Sequence, residues 1–239
     1  MKSVTYVGID GSLWPLTDPS HEGVFLQAVP DVLRSDERGE SVSGVLDFVV
    51  ADHDSNGADL RPIRVTERRW RRAWSVRKFG TLRVEDDEGV DFWLRVRLAL
   101  PIEGFSEVDP DGYVAFSQSV EADSDVWMTT MTHQGINVTV TNNGDVEAWP
   151  RVRWLKSGDL IMPSGAATNL PSVPAARTII LDPKQSCIVL DDESVEDNSV
   201  WRALRGKVFP EPIPVDETRS FIIPEGSTLS IDVGVASPW

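Results

Sequence analysis

Asp91-Phe92-Trp93-Leu94-Arg95-Val96-Arg97-Leu98 alternates with a period of two: Phe92, Leu94, Val96 and Leu98 share one face, and Trp93, Arg95 and Arg97 share the other. That period belongs to a half-buried strand. The stretch just before it, Glu85-Asp86-Asp87-Glu88-Gly89, is polar and ends in glycine, so it reads as the turn of a hairpin whose first strand is Gly80 to Val84. Working outward, short runs of Val, Ile, Thr, Trp and Phe recur between clusters of Gly, Pro, Asn and Asp, while helical periodicity is scarce. The chain is expected to be all-β. Further strands are expected at Ser3 to Ile9, Gly23 to Val29, Val42 to Ala51 and Leu60 to Glu67, with Val90 to Leu100 containing the stretch quoted above.

Between Ser117 and Asp125 the alternation loosens and a second β series follows, which predicts two domains, 1-122 and 123-239. In the second, Ile136 to Thr141 alternates cleanly and runs into Asn142-Asn143-Gly144-Asp145, a turn signal because Asn and Gly accept positive φ. Trp149 to Trp154 then returns. Arg177 to Leu181 and Ser186 to Leu190 are joined by Asp182-Pro183-Lys184-Gln185, and Ser220 to Ile223 turns at Pro224-Glu225-Gly226-Ser227 into Thr228 to Val235. One short helix is expected at Asn198 to Arg205.

Composition narrows the function classes. The 239 residues are 41% hydrophobic and 26% charged, as in a folded globular protein. Apolar runs are no longer than Phe48-Val49-Val50-Ala51, far short of a membrane span, and the first ten residues lack the apolar core of a secretory signal. Cytoplasmic synthesis is the expectation, with no membrane partner. Cys187 stands alone, which removes intrachain disulfides and multi-thiolate metal sites; a buried small hydrophobe is the expected role. The net charge of −15 disfavours nucleic-acid and anionic-membrane binding. Its distribution is uneven: from Arg61 to Arg83 there are nine basic residues and one acid, Glu67, whereas the remainder holds 14 basic and 37 acidic residues. A mainly acidic body with one cationic stretch is suited to head-to-tail self-association.

Local signatures of catalysis are missing. His21, His53 and His133 have no metal-binding spacing, and there is no nucleophile elbow, dinucleotide-binding glycine motif or phosphate-binding loop. Asp52-His53-Asp54-Ser55-Asn56-Gly57 matches the first six positions of a calcium loop, but Ile63 stands where the bidentate Glu is needed, so a plain polar connection is expected. Glu85 to Glu88 and Asp191-Asp192-Glu193 read as solvated turns rather than acid/base pairs. Neither an enzyme nor a cofactor is expected. The nine tryptophans raise a sugar-stacking alternative, with Trp149, Trp154 and Trp201 in the second domain, although core and interface roles are commoner for Trp.

In their order, these segments resemble the distal tail protein (minor tail protein) of long-tailed siphophages, of the actinobacteriophage type. The residues that carry the resemblance are Tyr6-Val7-Gly8-Ile9-Asp10-Gly11-Ser12-Leu13-Trp14-Pro15-Leu16; Arg68-Arg69-Trp70-Arg71-Arg72-Ala73-Trp74-Ser75 with Gly80 to Val84; Val138 to Asp145 leading to Trp149-Pro150-Arg151-Val152; and Phe221-Ile222-Ile223-Pro224-Glu225-Gly226. Ala122 to Gly135 and Val208 to Thr218 match nothing in it. The resemblance implies an N-terminal β-barrel-like domain, a C-terminal galectin-like β-sandwich, and a structural virion protein made in the host cytoplasm. That protein forms a sixfold ring (a homohexamer) at the tail tip, joins the tail tube protein to the tail-tip hub protein, and leaves a channel for the tape-measure protein and DNA. A ring repeats a heterologous interface, which needs two different complementary surfaces on each subunit. Arg68, Arg69, Arg71 and Arg72, with Trp70 and Trp74, are the expected subunit contact, since Arg and Trp are favoured at interface hot spots. The competing readings are a solvated arginine face, a carbohydrate-binding module that attaches the tail tip to the host surface, and a β-sandwich hydrolase.

Overall fold

The computed structural model describes residues 3–18, 22–27, 34–35, 42–54, 57–104 and 112–238. It divides into two compact units, Met1–Trp127 together with Ala236–Trp239, and Met128–Val235. Among the described residues no helix is long and apolar enough to cross a membrane.

The first unit contains β1 (Ser3–Val7), β2 (Leu13–Pro15), β3 (Val24–Leu26), β4 (Arg34–Ser35), β5 (Val42–Ala51), α1 (Ile63–Ala73), β6 (Gly80–Glu85), β7 (Asp91–Leu98) and β8 (Tyr113–Ala122). Its strands form one antiparallel sheet that runs from β3 and β4, side by side along β5, through β8, β7, β6 and β1 to β2. Alternation decides which face is inside. Leu46, Phe48 and Val50 of β5 and Leu94, Val96 and Leu98 of β7 are buried, while Arg95 faces solvent. The β6–β7 hairpin closes at Asp86, whose carboxylate accepts the N–H groups of Glu88 and Val90 (both 2.8 Å), and Gly89 takes the positive φ of 78° that the turn requires.

Two expectations are corrected here. The sheet does not close into a barrel: among the described residues no ladder joins β2 to β3, and the bond from Leu26 N–H to the Leu16 carbonyl (2.9 Å) forms just beyond the end of β2. Its inner face holds a helix instead. That helix, α1, covers most of the region expected as a strand at Leu60 to Glu67, because Ile63, Thr66, Trp70 and Ala73 recur at three- and four-residue spacing and all four are buried.

The second unit contains β9 (Trp127–Gln134, of which Trp127 belongs to the first unit), β10 (Asn137–Thr141), β11 (Pro150–Trp154), β12 (Gly158–Ile161), β13 (Ala167–Leu170), β14 (Arg177–Ile180), β15 (Val189–Leu190), α2 (Asn198–Leu204), β16 (Thr218–Ile222) and β17 (Thr228–Val235). They form a β-sandwich. One layer is ordered β15-β14-β11-β17-β9 and the other β10-β16-β12-β13. Val152, Ile179, Leu229 and Ile231 from the first layer meet Val138, Val140, Leu160 and Phe221 from the second in one apolar core.

Both turns read from Asn-Gly and Pro-Glu-Gly-Ser are present, but neither makes a hairpin: β10 and β11 lie in different layers, as do β16 and β17. The turn glycine also has a different purpose from the one its dipeptide suggests. Gly144 is not at positive φ; a Cβ there would lie 2.5 Å from the Gly234 carbonyl, so the site demands glycine for close approach. Asn142, fully buried, organises the crossing by accepting the Gly144 N–H (3.0 Å) and donating to the carbonyls of Val146 (2.8 Å) and Ile213 (2.9 Å).

Helix α2 lies where the sequence predicts it, because Asp197 caps it. The Asp197 carboxylate accepts from Ser199 N–H, Val200 N–H and Ser199 Oγ, and Arg177 Nε lies 2.7 Å away. The Ser199 hydroxyl, followed by Arg177, holds this carboxyl well below its ordinary value of 3.8. A depressed folded-state pKa contributes stability that is present above the unfolded value and is lost as pH falls through the folded one. The expected outcome is a Tm that falls on acidification below the ordinary carboxylate range, with a smaller fall for Asp197→Asn, read from thermal melts as a function of pH.

Candidate assembly surface

The candidate surface is built on α1. Pro62 precedes the helix, where its fixed φ costs nothing, and Arg71 and Arg72 complement the carbonyl end. Glu67 is the one acid of the cationic window and is 8% exposed. It survives burial because Arg64 (2.9 Å) and Arg71 (3.2 Å) flank it at i−3 and i+4.

The inward face is aromatic. The ring of Trp70 lies 5.0 Å from Trp14, 5.1 Å from Phe48, 5.4 Å from Trp74 and 5.7 Å from Tyr6, all edge-on, and its Nε1 donates to Gln118 Oε1 (3.1 Å). Tyr6 stacks on Trp74 at 3.9 Å and donates its hydroxyl to the Ala73 carbonyl (2.9 Å); burial raises its pKa far above the ordinary phenol range. This overturns part of the expected subunit contact. Trp70 and Trp74 are 0% and 4% exposed, so a neighbouring subunit has no access to them. They anchor the helix to the sheet.

The arginines divide by what they touch. Arg69 is half-buried, pairs with Glu22, and lies over the Trp14 ring at 5.2 Å. Arg71 bonds Glu67 and the carbonyls of Ile102 (2.6 Å) and Glu103. Both are committed within the chain. Arg68 and Arg72 are exposed; Arg68 reaches only the Arg64 carbonyl of its own helix (3.2 Å), and among the described residues neither has a carboxylate partner. Arg77 and Lys78 continue this surface beyond the helix, where Ser75 Oγ accepts both of their backbone N–H groups (3.0 and 3.1 Å). The accessible cationic set is therefore Arg68, Arg72, Arg77 and Lys78, the last two of which the motif reading passed over. Arg77 and Lys78 were nonetheless legible as part of the charged window from Arg61 to Arg83.

The remaining candidates are dispersed. Asp52 bonds His53 Nδ1 (2.9 Å) and Asp54 accepts the Ala58 N–H (2.8 Å), while Ser55 and Asn56 of that loop, like His21, lie outside the described residues. Among the described residues no three His, Cys, Asp or Glu side chains converge as a metal site would need. Asp191 caps its own turn through Glu193 N–H and Val195 N–H, and Asp192 pairs with Arg153 (2.9 Å). Cys187 is half-buried, and burial raises its thiol pKa. Of the second-unit tryptophans, Trp154 is core, Trp149 is half-buried, and Trp201 carries the Arg205 guanidinium 5.1 Å from its ring centre.

No protein-family model matches the chain, and no curated protein matches it. Solved structures do. The SPP1 Dit protein, described as a paradigm of the hub adsorption apparatus of phages that infect Gram-positive bacteria, aligns over 98% of this chain and 99% of its own, with a TM-score of 0.51 at 13% identity. A chain of the phage P2 baseplate in its activated conformation with calcium aligns over 98% of both chains, with a TM-score of 0.41 at 13% identity. The chain thus shares the fold of the SPP1 Dit protein from end to end.

Proposed function

We propose that this chain is a structural, non-enzymatic component of a bacteriophage virion. On this reading it is a distal tail protein that forms a homohexameric ring at the tail tip, joins the tail tube to the tail-tip hub, and leaves its centre open to the tape-measure protein and DNA. The observation that carries the reading is the full-length correspondence of fold with SPP1 Dit, a hub protein, since it spans both units rather than one common β module. The cationic set on and after α1, set against a remainder with 14 basic and 37 acidic residues, supports a repeated contact between unlike surfaces. Glycan binding by the second unit is the less favoured alternative, because Trp154 is buried and Arg205 already covers the Trp201 ring.

The test is the mass of the purified protein by light scattering at low and high salt, with negative-stain images of any large species. The expected species has six times the 26.5 kDa chain mass and dissociates as salt rises, because the Debye length falls from about 10 Å at 0.1 M to about 3 Å at 1 M. A strict monomer at high concentration under both conditions counts against self-assembly.

A further inference from the structure

Strand β8 pairs with β5 along its whole length but with β7 only through Val120, Glu121 and Ala122. After the bond from Ala99 N–H to the Ser119 carbonyl (3.0 Å), the chain leaves the sheet. That bond fixes the pleat: Ser119 directs its N–H and C=O away from β5, and by the period of two so do Ser117 and Ala115. The Gly112 carbonyl, an odd number of residues from these, turns to β5 instead, where it accepts from Asp52 (3.3 Å). Among the described residues nothing pairs with the outward backbone groups of Ala115 and Ser117.

A groove of about 390 Å³ runs along this edge, between Ala115–Ser119 and the segment Leu100–Gly104. Arg71 holds the far wall in place by donating to the carbonyls of Ile102 and Glu103. Leu100 is 65% exposed. Gln118 also lines the groove, and it is 3% exposed. Indole Nε1–H is only a donor, so its bond to Gln118 Oε1 sets the orientation of the amide and leaves Nε2 as the free end. Nε2 is buried and has no acceptor. Among the described residues an unpaired edge and an exposed apolar wall therefore lie together.

We propose that this edge is a strand-addition site, which takes an extended cationic peptide segment of a partner protein as a further strand beside β8. The incoming backbone pairs with the outward N–H and C=O groups of Ala115 and Ser117. The sign of its charge follows from the carboxylates at the groove, Glu103 in its lining and Asp47, which accepts the Ser117 hydroxyl (2.5 Å), whereas the Arg71 guanidinium at the far wall is engaged by Glu67 and the carbonyls of Ile102 and Glu103. The inference stands on the edge geometry and is independent of the tail-tip reading.

The probe is a capped peptide of eight alternating lysines and valines, titrated calorimetrically into the full-length protein. Its controls are the same peptide N-methylated on every second backbone nitrogen and a glutamate–valine counterpart. Strand addition is expected to give saturable binding of the lysine–valine peptide, weakened at least about tenfold by N-methylation and by Ser117→Pro, which removes an edge N–H without touching the β5 ladder. Ser117→Ala keeps that N–H and is expected to bind within about twofold of the native protein, which separates loss of the donor from loss of the hydroxyl. No binding at about 1 mM, or equal binding of the N-methylated peptide, overturns the site. Equal binding of the glutamate–valine peptide overturns the cationic partner.

Discussion

Trp70→Ala is expected to destabilise the protein by about 3–5 kcal/mol, as large-to-small changes at a fully buried aromatic do. Trp70 has no exposed surface and stands among Trp14, Phe48, Trp74 and Tyr6, so its removal opens a cavity walled by four rings that cannot all collapse into it. It also removes the donor to Gln118 Oε1, and the Gln118 amide would then be buried without a partner at either end. Denaturant unfolding of the variant measures the total. Trp70→Phe separates the two contributions: it keeps most of the apolar volume and loses the hydrogen bond, for an expected cost of about 1–3 kcal/mol. Were Trp70 at a subunit contact instead, truncation would leave monomer stability nearly unchanged and weaken only assembly.

The same residue shows where sequence reading succeeded and where it failed. In β7 one face meets the core and the other does not, so the alternation of Leu94, Val96 and Leu98 with Arg95 and Arg97 transferred directly to burial. The region around Trp70 misled for a physical reason. Ile63, Val65 and Thr66 are β-branched and follow a proline, which makes the stretch resemble a strand by composition; the three- and four-residue spacing that decides the matter includes Thr66 and, at Glu67, an acid buried between two arginines. A pattern reader expects apolar residues at such positions. The buried Glu is stabilised by Arg64 and Arg71, a fact of three-dimensional pairing.

Topology was less legible than element type. Asn142-Asn143-Gly144-Asp145 and Pro224-Glu225-Gly226-Ser227 mark chain reversals, and reversals do occur there, but the residues do not say whether the next strand joins the same sheet or the opposite one. Gly144 illustrates the gap. Its requirement comes from the carbonyl of Gly234, ninety residues away, and no local window contains it. Strand β8 was blurred by its polar residues: Ser117 and Ser119 border an open groove, and Gln118, although buried, accepts the Trp70 indole N–H.

The cationic surface has a sharper test than salt. Arg68→Glu with Arg72→Glu is expected to abolish self-assembly, with at least about a hundredfold loss in the association constant, because like charges set against an acidic neighbour cost several kcal/mol. The fold is expected to lose no more than about 1–2 kcal/mol, since both side chains are exposed and Arg68 reaches only a carbonyl of its own helix, the loss coming from the acid that Arg72→Glu places at the carbonyl end of α1. Light scattering reads the first effect and thermal unfolding the second. Arg71→Ala is the contrasting change: it strips Glu67 of one of its two arginines and releases the carbonyls of Ile102 and Glu103, so its effect falls on stability before assembly. If the doubly reversed protein still forms the native assembly, the contact lies elsewhere, and the exposed arginines of α1 are a solvated face. If it is monomeric and folded, the arginines of this helix have divided their work, with Arg69 and Arg71 holding the chain to itself and Arg68 and Arg72 holding it to its neighbour.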